Sequence, residues 1–368
     1  MNDQNKLEIE LRELREEINK IDDTIIDLLN KRGEIVIKIG NLKDKLNMKV
    51  FHRQREKEII ERIKEKSTVF NSSIVEAIWK EIISASKFIQ GMKNKVGYLG
   101  PDGTFTHQAA LEYFPKAGSE FIPINNPIEI FESLEKDLIH FGVIAIENSL
   151  QGTVRETLDL LIEKNIIIFG EIELRIVQNL ISVENSDLSK IKTIISHPQA
   201  LAQTRMWIKA NIPNVSLISV DSTAEAIRKV RELNDHSYAA IGTELASRLY
   251  NLRILSANIE DNPMNHTRFL IISKKENENK EGKIKTSIIF VTKHTPGALY
   301  SVLKIYADAK INLLKIESRP RRRGRWEYIF LMDFEGDKDD PTCKSIFKKM
   351  SDNVIWYKIL GSYPMANQ

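Results

Sequence analysis

Leu7, Leu11, Leu14, Ile18, Ile21, Ile25 and Leu28, then Ile35, Ile39, Leu42 and Leu46, follow one another mostly at intervals of three or four residues. That spacing lays an apolar stripe along one long α-helix, and a helix of this length must cover its stripe with other helices. Where the pattern asks for an apolar residue, at position 32, the chain has Arg32. A guanidinium on such a seam needs an anion beside it, because an unpaired buried charge is very costly. Lys43 lies about 16 Å further along the axis, and Arg15 lies about 25 Å before Arg32, at 1.5 Å per residue. One small ligand cannot reach all three on a single helix. If they share a ligand, a second copy of the helix supplies Arg15, and the expectation is a helical dimer with cationic pockets at its interface.

The remaining sequence divides by composition. At 368 residues the chain is long enough for two or three domains. Two polar stretches break it, Met92-Lys93-Asn94-Lys95 and the run KKENENKEGK from Lys274 to Lys283. The first segment continues with helices expected near 53–66 and 72–91. The second alternates helical stretches with the strands VGYLG, EFIPI, FGVIAIE, IIIFGEIEL, KTIISH, VSLISV, YAAIG and RFLIIS, which reads as α/β. The third runs strand TSIIFVT, helix 296–309, strand INLLKIES, strand WEYIFLMDF, a helix near 341–350 and strand VIWYKIL. That order, βαββαβ, is ferredoxin-like α+β.

Hydrophobic residues make up 42% and charged residues 29%, and no apolar run approaches the ~18 residues that a membrane helix needs, so a membrane protein is not expected. The charged N-terminus lacks the apolar core of an export signal. A single cysteine, Cys343, excludes a disulfide framework and a cysteine metal cluster; a cytoplasmic protein without metal is expected. The net charge is only +3, and the basic cluster Arg319–Arg325 lacks stacking aromatics, so nucleic-acid binding is not expected.

In the helical segment LREEI carries Arg15, KRGEI Arg32, IGNLK Lys43 and VFHRQRE Arg55 and Glu56, while Ser86 and Gln90 lie four apart on one face of the last helix. These strings resemble the all-helical chorismate mutases over about residues 7–91. Chorismate has two carboxylates and an ether oxygen that gains negative charge as the pericyclic rearrangement proceeds. Such a reaction needs a folded substrate and aimed donors, with no nucleophile. The resemblance implies that Arg15 of a partner chain, Arg32 and Arg55 hold carboxylates, that Lys43 and Gln90 donate to the ether oxygen, and that Glu56 binds the ring hydroxyl. Ser86 is taken with this site. His52 stands where some relatives have an acidic residue.

The middle segment repeats one theme: a buried strand running into polar residues and a helix start, the place where open α/β sheets bind ligands. GPDGTFTHQAA places Thr104 and Thr106 at such a start; either can cap the helix, and a helix N-terminus also suits an anion. FGVIAIENSLQGTV ends in Glu147, Asn148 and Ser149; SHPQALAQT carries Ser196, His197 and Gln203; DSTAEA carries Ser222 and Thr223; and NHTRFLIIS carries Thr267, Arg268 and Phe269. Together the strings resemble prephenate dehydratases over nearly all of 95–273. The resemblance implies two α/β lobes, like a type 2 periplasmic binding protein, with substrate between them. It implies decarboxylation with loss of the ring hydroxyl, Thr267 as oriented donor, Asn148, Ser149, Gln203 and Arg268 fixing the substrate, and no cofactor. His197 is read as a structural hydrogen-bonder.

The third segment combines Gly297, Ala298 and Leu299 at a helix start with Glu317-Ser318-Arg319-Pro320 after a strand. With the trailing WEYIFLMDFEG it resembles ACT domains that bind phenylalanine between two copies, which implies an oligomer inhibited by its end product. The expected domains are then 1–92, 95–273 and 284–366. The expected substrates are chorismate and prephenate, and the expected effector is L-phenylalanine. Two other readings use the same residues: a dehydratase whose helical segment only staples a dimer, and a binding or regulatory protein without turnover. Thr267-Arg268-Phe269 in the company of the other loop strings favours turnover.

Overall fold

The computed structural model describes residues 3–46, 53–91, 93–278, 280, 282–320 and 328–366. His52, Met92 and Arg321, Arg322 and Arg323 lie outside the described residues, as do positions 279 and 281 of the polar run. The chain forms two compact units, one of residues up to Asn94 with Pro115–Glu120, the other of Lys95–Phe114 with Phe121 to the C-terminus.

The first unit is helical: α1 (Asp3–Lys45), α2 (Arg53–Lys66) and α3 (Ser72–Ile89). Asn71 caps α3 by accepting a hydrogen bond from the Ile74 N–H. The expected apolar seam of α1 is one continuous helix face, yet Leu7, Leu11, Leu14, Ile18, Ile21, Ile25, Leu28, Ile35, Ile39, Leu42 and Leu46 are all exposed in the single chain. Val36, one turn after Arg32 and flanking the stripe, is buried.

The second unit begins with β1 (Asn94–Leu99), α4 (Phe105–Tyr113), β2 (Ser119–Ile124), α5 (Pro127–Glu135), β3 (Phe141–Asn148), β4 (Gly152–Thr153), α6 (Arg155–Glu163) and β5 (Ile167–Arg175). The chain then builds β6 (Asn179–Ser182), β7 (Thr193–Ser196), α7 (Pro198–Gln203), α8 (Arg205–Asn211), β8 (Ser216–Ser219), α9 (Thr223–Leu233), β9 (Tyr238–Gly242), α10 (Glu244–Leu249) and β10 (Arg253–Ser256) before returning as β11 (His266–Ser273). The first lobe has the sheet order β2-β1-β3-β11-β5, with β4 paired to β3; the second has β10-β6-β9-β7-β8. The two-lobed α/β architecture is as expected. Strands β4, β6 and β10, of two, four and four residues, were not expected. The chain crosses between the lobes twice, at 176–178 and at 257–265.

The C-terminal segment consists of β12 (Ile284–Thr292), α11 (Ala298–Asp308), β13 (Leu313–Pro320), β14 (Tyr328–Glu335), α12 (Pro341–Ser351) and β15 (Val354–Pro364), in the antiparallel order β13-β14-β12-β15. This is the expected ferredoxin-like arrangement. One sheet face packs Ile288, Phe290, Met332 and Phe334 against Tyr306 and Phe347 of the two helices. The other packs Ile289, Val291, Leu331, Leu360 and Tyr363 against Ile144, Ile146, Leu161, Ile168 and Leu270 of the first lobe. Burial pushes the Cys343 thiol up to about 11, so it stays protonated and inert.

Candidate functional site

In the helical unit α1 and α3 face each other through polar side chains. Arg32 Nη1 donates to Ser86 Oγ, which donates to the Ile82 carbonyl at 2.6 Å. One turn further, Gln90 Nε2 donates to the Val36 carbonyl at 3.2 Å, and Gly40 leaves room for its stem: a Cβ there would stand 3.2 Å from Gln90 Cγ. Burial lowers the Arg32 pKa from its ordinary value, the mark of a cation held partly out of water. The structure therefore brings Arg32, Ser86 and Gln90 onto one cationic patch. Glu56 reaches α3 differently, through an ion pair with Lys87 at 2.8 Å, a residue that the sequence reading passed over. Arg55 pairs with Glu58 at 3.3 Å on an exposed face, Lys43 is half-buried, and Arg15 is exposed far along α1.

In the second unit the centre of the polar arrangement is Asn148 at the end of β3. Its Oδ1 accepts from the N–H groups of Leu150 and Gln151 at 3.1 and 3.2 Å, which fixes the amide. Its Nδ2 therefore points the other way, donating to Asn265 Oδ1 at 2.7 Å and to Thr267 Oγ1 at 2.9 Å. Because the Thr267 hydroxyl accepts from Asn148, its own proton is free for another acceptor. Thr267 belongs to β11, on the face that packs Phe269 and Ile271 against Val96, Tyr98 and Ala109.

The second crossing is pinned to the first. Ile176 N donates to the Asn265 carbonyl at 2.7 Å, Gln178 N donates to Glu260 Oε2 at 3.0 Å, and Arg175 pairs with Glu260 at 2.8 Å. Gln203 joins here: its carbonyl accepts from Asp261 N at 2.7 Å, and its Oε1 accepts from Gln178 Nε2 at 3.3 Å. The lobes also touch at the turn before α4, where Thr243 Oγ1 donates to the Gly103 carbonyl at 2.6 Å. Gly103 has φ +88°, and a Cβ there would stand 2.6 Å from Ala246 Cβ.

Several expected ligand residues have other employment. Thr104 caps α4, accepting from His107 N at 3.2 Å; Ser222 caps α9, accepting from Glu225 N at 3.0 Å; Thr106 and Thr223 lie in the first turns of those helices. Ser149 Oγ donates to the Met264 carbonyl and accepts from His266 N, tying its turn to the second crossing. Ser196 is fully buried, its Oγ donating to the Ile241 carbonyl at 2.7 Å, while His197 Nδ1 accepts from Gln199 N at 3.2 Å. Burial, opposed by Asp221, lowers the His197 pKa. The adjacent serine and histidine are thus not a nucleophile and its base.

Two expectations are corrected by strand alternation. Phe269 is core, not a substrate contact: its ring is buried with Tyr98, Phe114 and Val143. Arg268 points to the face opposite Thr267, where its guanidinium pairs with Glu171 and Asp333, both at 2.7 Å, and its Nη2 donates to Tyr363 Oη at 3.1 Å. Lys285 completes the group at 2.6 Å from Glu171, and Glu147 pairs with Lys315 at 2.7 Å. Glu147, Glu171, Arg268, Lys285, Lys315 and Asp333 line a cavity of ≈ 250 Å³ between the first lobe and the C-terminal sheet. The string 317–320 shares that interface: Glu317 accepts from Thr153 and lies 3.3 Å from Lys315, and Arg319 pairs with Asp159 at 2.8 Å. Ser318 and Pro320 are exposed on the edge strand; Gly297, at φ +82°, precedes Ala298 and Leu299 at the start of α11.

Sequence reading missed Asn265, Gln178, Glu260 and Thr243. For Asn265 the signal was present: it stands two positions before Thr267, hence on the same side of an extended chain. Nothing local marks Gln178 or Thr243.

A family model described as prephenate dehydratase matches residues 96–277, and one described as chorismate mutase type II matches residues 14–91. A bifunctional chorismate mutase/prephenate dehydratase of Aquifex aeolicus is 40% identical over 362 residues, covering 97% of this chain and 98% of that one. Among solved structures, a prephenate dehydratase of Arthrobacter aurescens in complex with L-Phe has a TM-score of 0.68 and 31% identity, covering 74% of this chain and 90% of that one. GqqA, described as a novel type of quorum quenching acylase, has a TM-score of 0.67 and 29% identity, covering 74% of this chain and 98% of that one.

Proposed function

The chain belongs to the family of bifunctional chorismate mutase/prephenate dehydratases, and from that premise we propose how its residues divide the two reactions. Chorismate rearranges to prephenate in the helical unit, and prephenate loses carbon dioxide and water to give phenylpyruvate in the two-lobed unit. A shared frame hosts different chemistries, so the assignment rests on the site. The observation that carries it is the hydrogen bond from Asn148 to Thr267, which orients the threonine proton outward. As the ring carboxylate leaves as carbon dioxide, its electron pair moves into the ring and expels the hydroxyl, which takes up a proton and departs as water. Thr267 donates to that hydroxyl as charge develops on it. The full burial of Ser196, whose hydroxyl is spent on the Ile241 carbonyl, and the use of His197 Nδ1 by the Gln199 N–H disfavour an acylase reading.

For the mutase, Arg32 and Arg55 hold substrate carboxylates, Lys43 and Gln90 donate to the ether oxygen, and Ser86 orients Arg32. Arg15 comes from a partner chain. The exposed apolar seam of α1 supports that dimer, since a stripe of this length is costly to leave in water. Domain bounds of 1–92, 95–273 and 284–366 follow, the last as an ACT domain. L-Phenylalanine binds that domain between copies, near Gly297–Leu299 and Ser318, and inhibits by favouring a less active arrangement. Strand β11 offers the link, because it presents Thr267 to Asn148 and, one residue on, Arg268 to Asp333 of the C-terminal sheet. Cytoplasmic residence accords with the lone buried cysteine; no described helix is long and apolar enough to cross a membrane.

The test supplies purified protein with chorismate or prephenate and follows chorismate loss and phenylpyruvate formation. Arg32→Ala abolishes only the first activity. Thr267→Ala lowers only the second, by about 10²–10³-fold as for loss of an aimed donor. Near wild-type prephenate turnover by Thr267→Ala removes the donor assignment.

A further inference from the structure

A buried polar atom without a partner costs about 1–3 kcal/mol, so a fold that keeps one is provided with a ligand or water to meet it. Among the described residues Asn265 Nδ2, Gln178 Oε1 and Gln203 Nε2 are buried and without a hydrogen-bond partner. All three belong to the floor where the chain crosses between the lobes, and Asn265 and Gln178 are only 1% and 2% exposed.

Amide orientation does not remove these open positions. Asn148 is fixed by the two backbone N–H groups on its Oδ1. Its Nδ2 stands 2.7 Å from Asn265, and the reversed Asn265 amide would set two NH2 groups against each other at that distance, so Oδ1 faces Asn148 and Asn265 Nδ2 is left open. The Gln178–Gln203 pair is bonded amide to amide. Reversing both amides exchanges which residue donates, yet one donor and one acceptor remain open either way.

We propose that Asn265 is a substrate-contacting residue of the dehydratase site, donating through Nδ2 to a carboxylate or keto oxygen of the substrate, while the Gln178–Gln203 pair meets a second polar group of the same molecule. This rests on the reading of the cleft beside Thr267 as the dehydratase site. A substrate with two carboxylates, a keto group and a hydroxyl supplies more oxygen atoms than Thr267 alone can address, and the floor presents two donors and an acceptor. Asn265 shares the Asn148 Nδ2 with Thr267, so its donor stands one residue's width from the proposed proton donor.

The deciding variant is Asn265→Asp in the full chain. One Asp oxygen keeps accepting from Asn148, and the other replaces the open donor with an acceptor. Prephenate kcat/KM is expected to fall by about 10–100-fold, the loss when a donor to a charged group is removed. Chorismate turnover stays at the wild-type value, amide exchange along 266–273 is unchanged, and calorimetric affinity for phenylpyruvate weakens. Wild-type kcat/KM in Asn265→Asp, with the parent chain active on prephenate, overturns the inference and leaves the function standing. An inactive parent chain overturns the function itself. Should Asn265→Asp disturb exchange in 266–273, Gln178→Leu decides: a fall of about tenfold supports the floor, and unchanged kcat/KM overturns it.

Discussion

Asp333→Asn tests the interface that holds the C-terminal sheet on the first lobe. Asp333 is 1% exposed and belongs to a balanced group of two cations and two carboxylates. Arg268 bridges Asp333 and Glu171, Lys285 lies 2.6 Å from Glu171 and 3.9 Å from Asp333, and Ser287 Oγ donates to Asp333 Oδ1 at 2.6 Å. Asparagine keeps the shape and the serine bond but leaves Arg268 and Lys285 with one close carboxylate, Glu171, since Glu147 lies 3.8 Å from Arg268 and is held at 2.7 Å by Lys315. Breaking a buried pair in this way costs about 3–5 kcal/mol, and at about 2–4 °C per kcal/mol the melting transition of this unit falls by roughly 6–20 °C. Pairing the change with Arg268→Met restores balance, so the double variant should lose less than the sum of the singles. The pH dependence has a definite sign. Burial alone raises the Asp333 pKa, but Arg268 and Lys285, with Ser287, outweigh it and hold the carboxyl below its ordinary value. Stability from a depressed carboxyl is complete above the unfolded pKa of about 4 and is lost as pH falls through the lower folded value. The gap between wild type and Asp333→Asn should therefore close in acid. Lys285 is different: burial and then the charge of Arg268 lower its pKa, since it shares its carboxylates with the stronger cation. Calorimetric melting between pH 3 and pH 8 reads all of this. A variant melting within about 1 °C of wild type at pH 7, or additive losses in the double variant, would refute the charge-balance argument.

Chains carrying Arg15→Ala and Arg32→Ala, each inactive as mutases, should complement on mixing. Random exchange makes about half the dimers mixed, each with one intact site, so about a quarter of wild-type activity returns; no recovery means that Arg15 acts within its own chain. Gly103→Ala forces a side chain into φ +88° against Ala246. At about 1–2 kcal/mol for the left-handed conformation alone, prephenate kcat/KM should drop roughly tenfold with chorismate turnover unchanged, and equal kinetics would show that the lobes need not meet at this turn.

The helix seam and the loop strings were legible because each is a short-range signal: a 3.6-residue period for α1, and a strand end followed by a cap for the turns at Thr104 and Ser222. Which face a residue takes is a different matter. The triplet 267–269 reads as one motif, but in a strand neighbouring residues point oppositely. Thr267 therefore meets Asn148 while Arg268 meets Asp333, which lies 65 residues on in another sheet. Glu147 is re-aimed by the irregularity where β3 and β11 shift register at Arg268–Phe269, an event with no local spelling. Glu317 and Arg319, expected at an effector, also serve the interface with the first lobe. Partnerships of this kind depend on long-range packing that no window of sequence contains. The exposed seam of α1 is the converse case: its period was readable at once, and the single chain leaves it uncovered. A stripe that the sequence writes and the monomer does not bury is what supports the proposed helical dimer, and the mixing of Arg15→Ala with Arg32→Ala chains tests it.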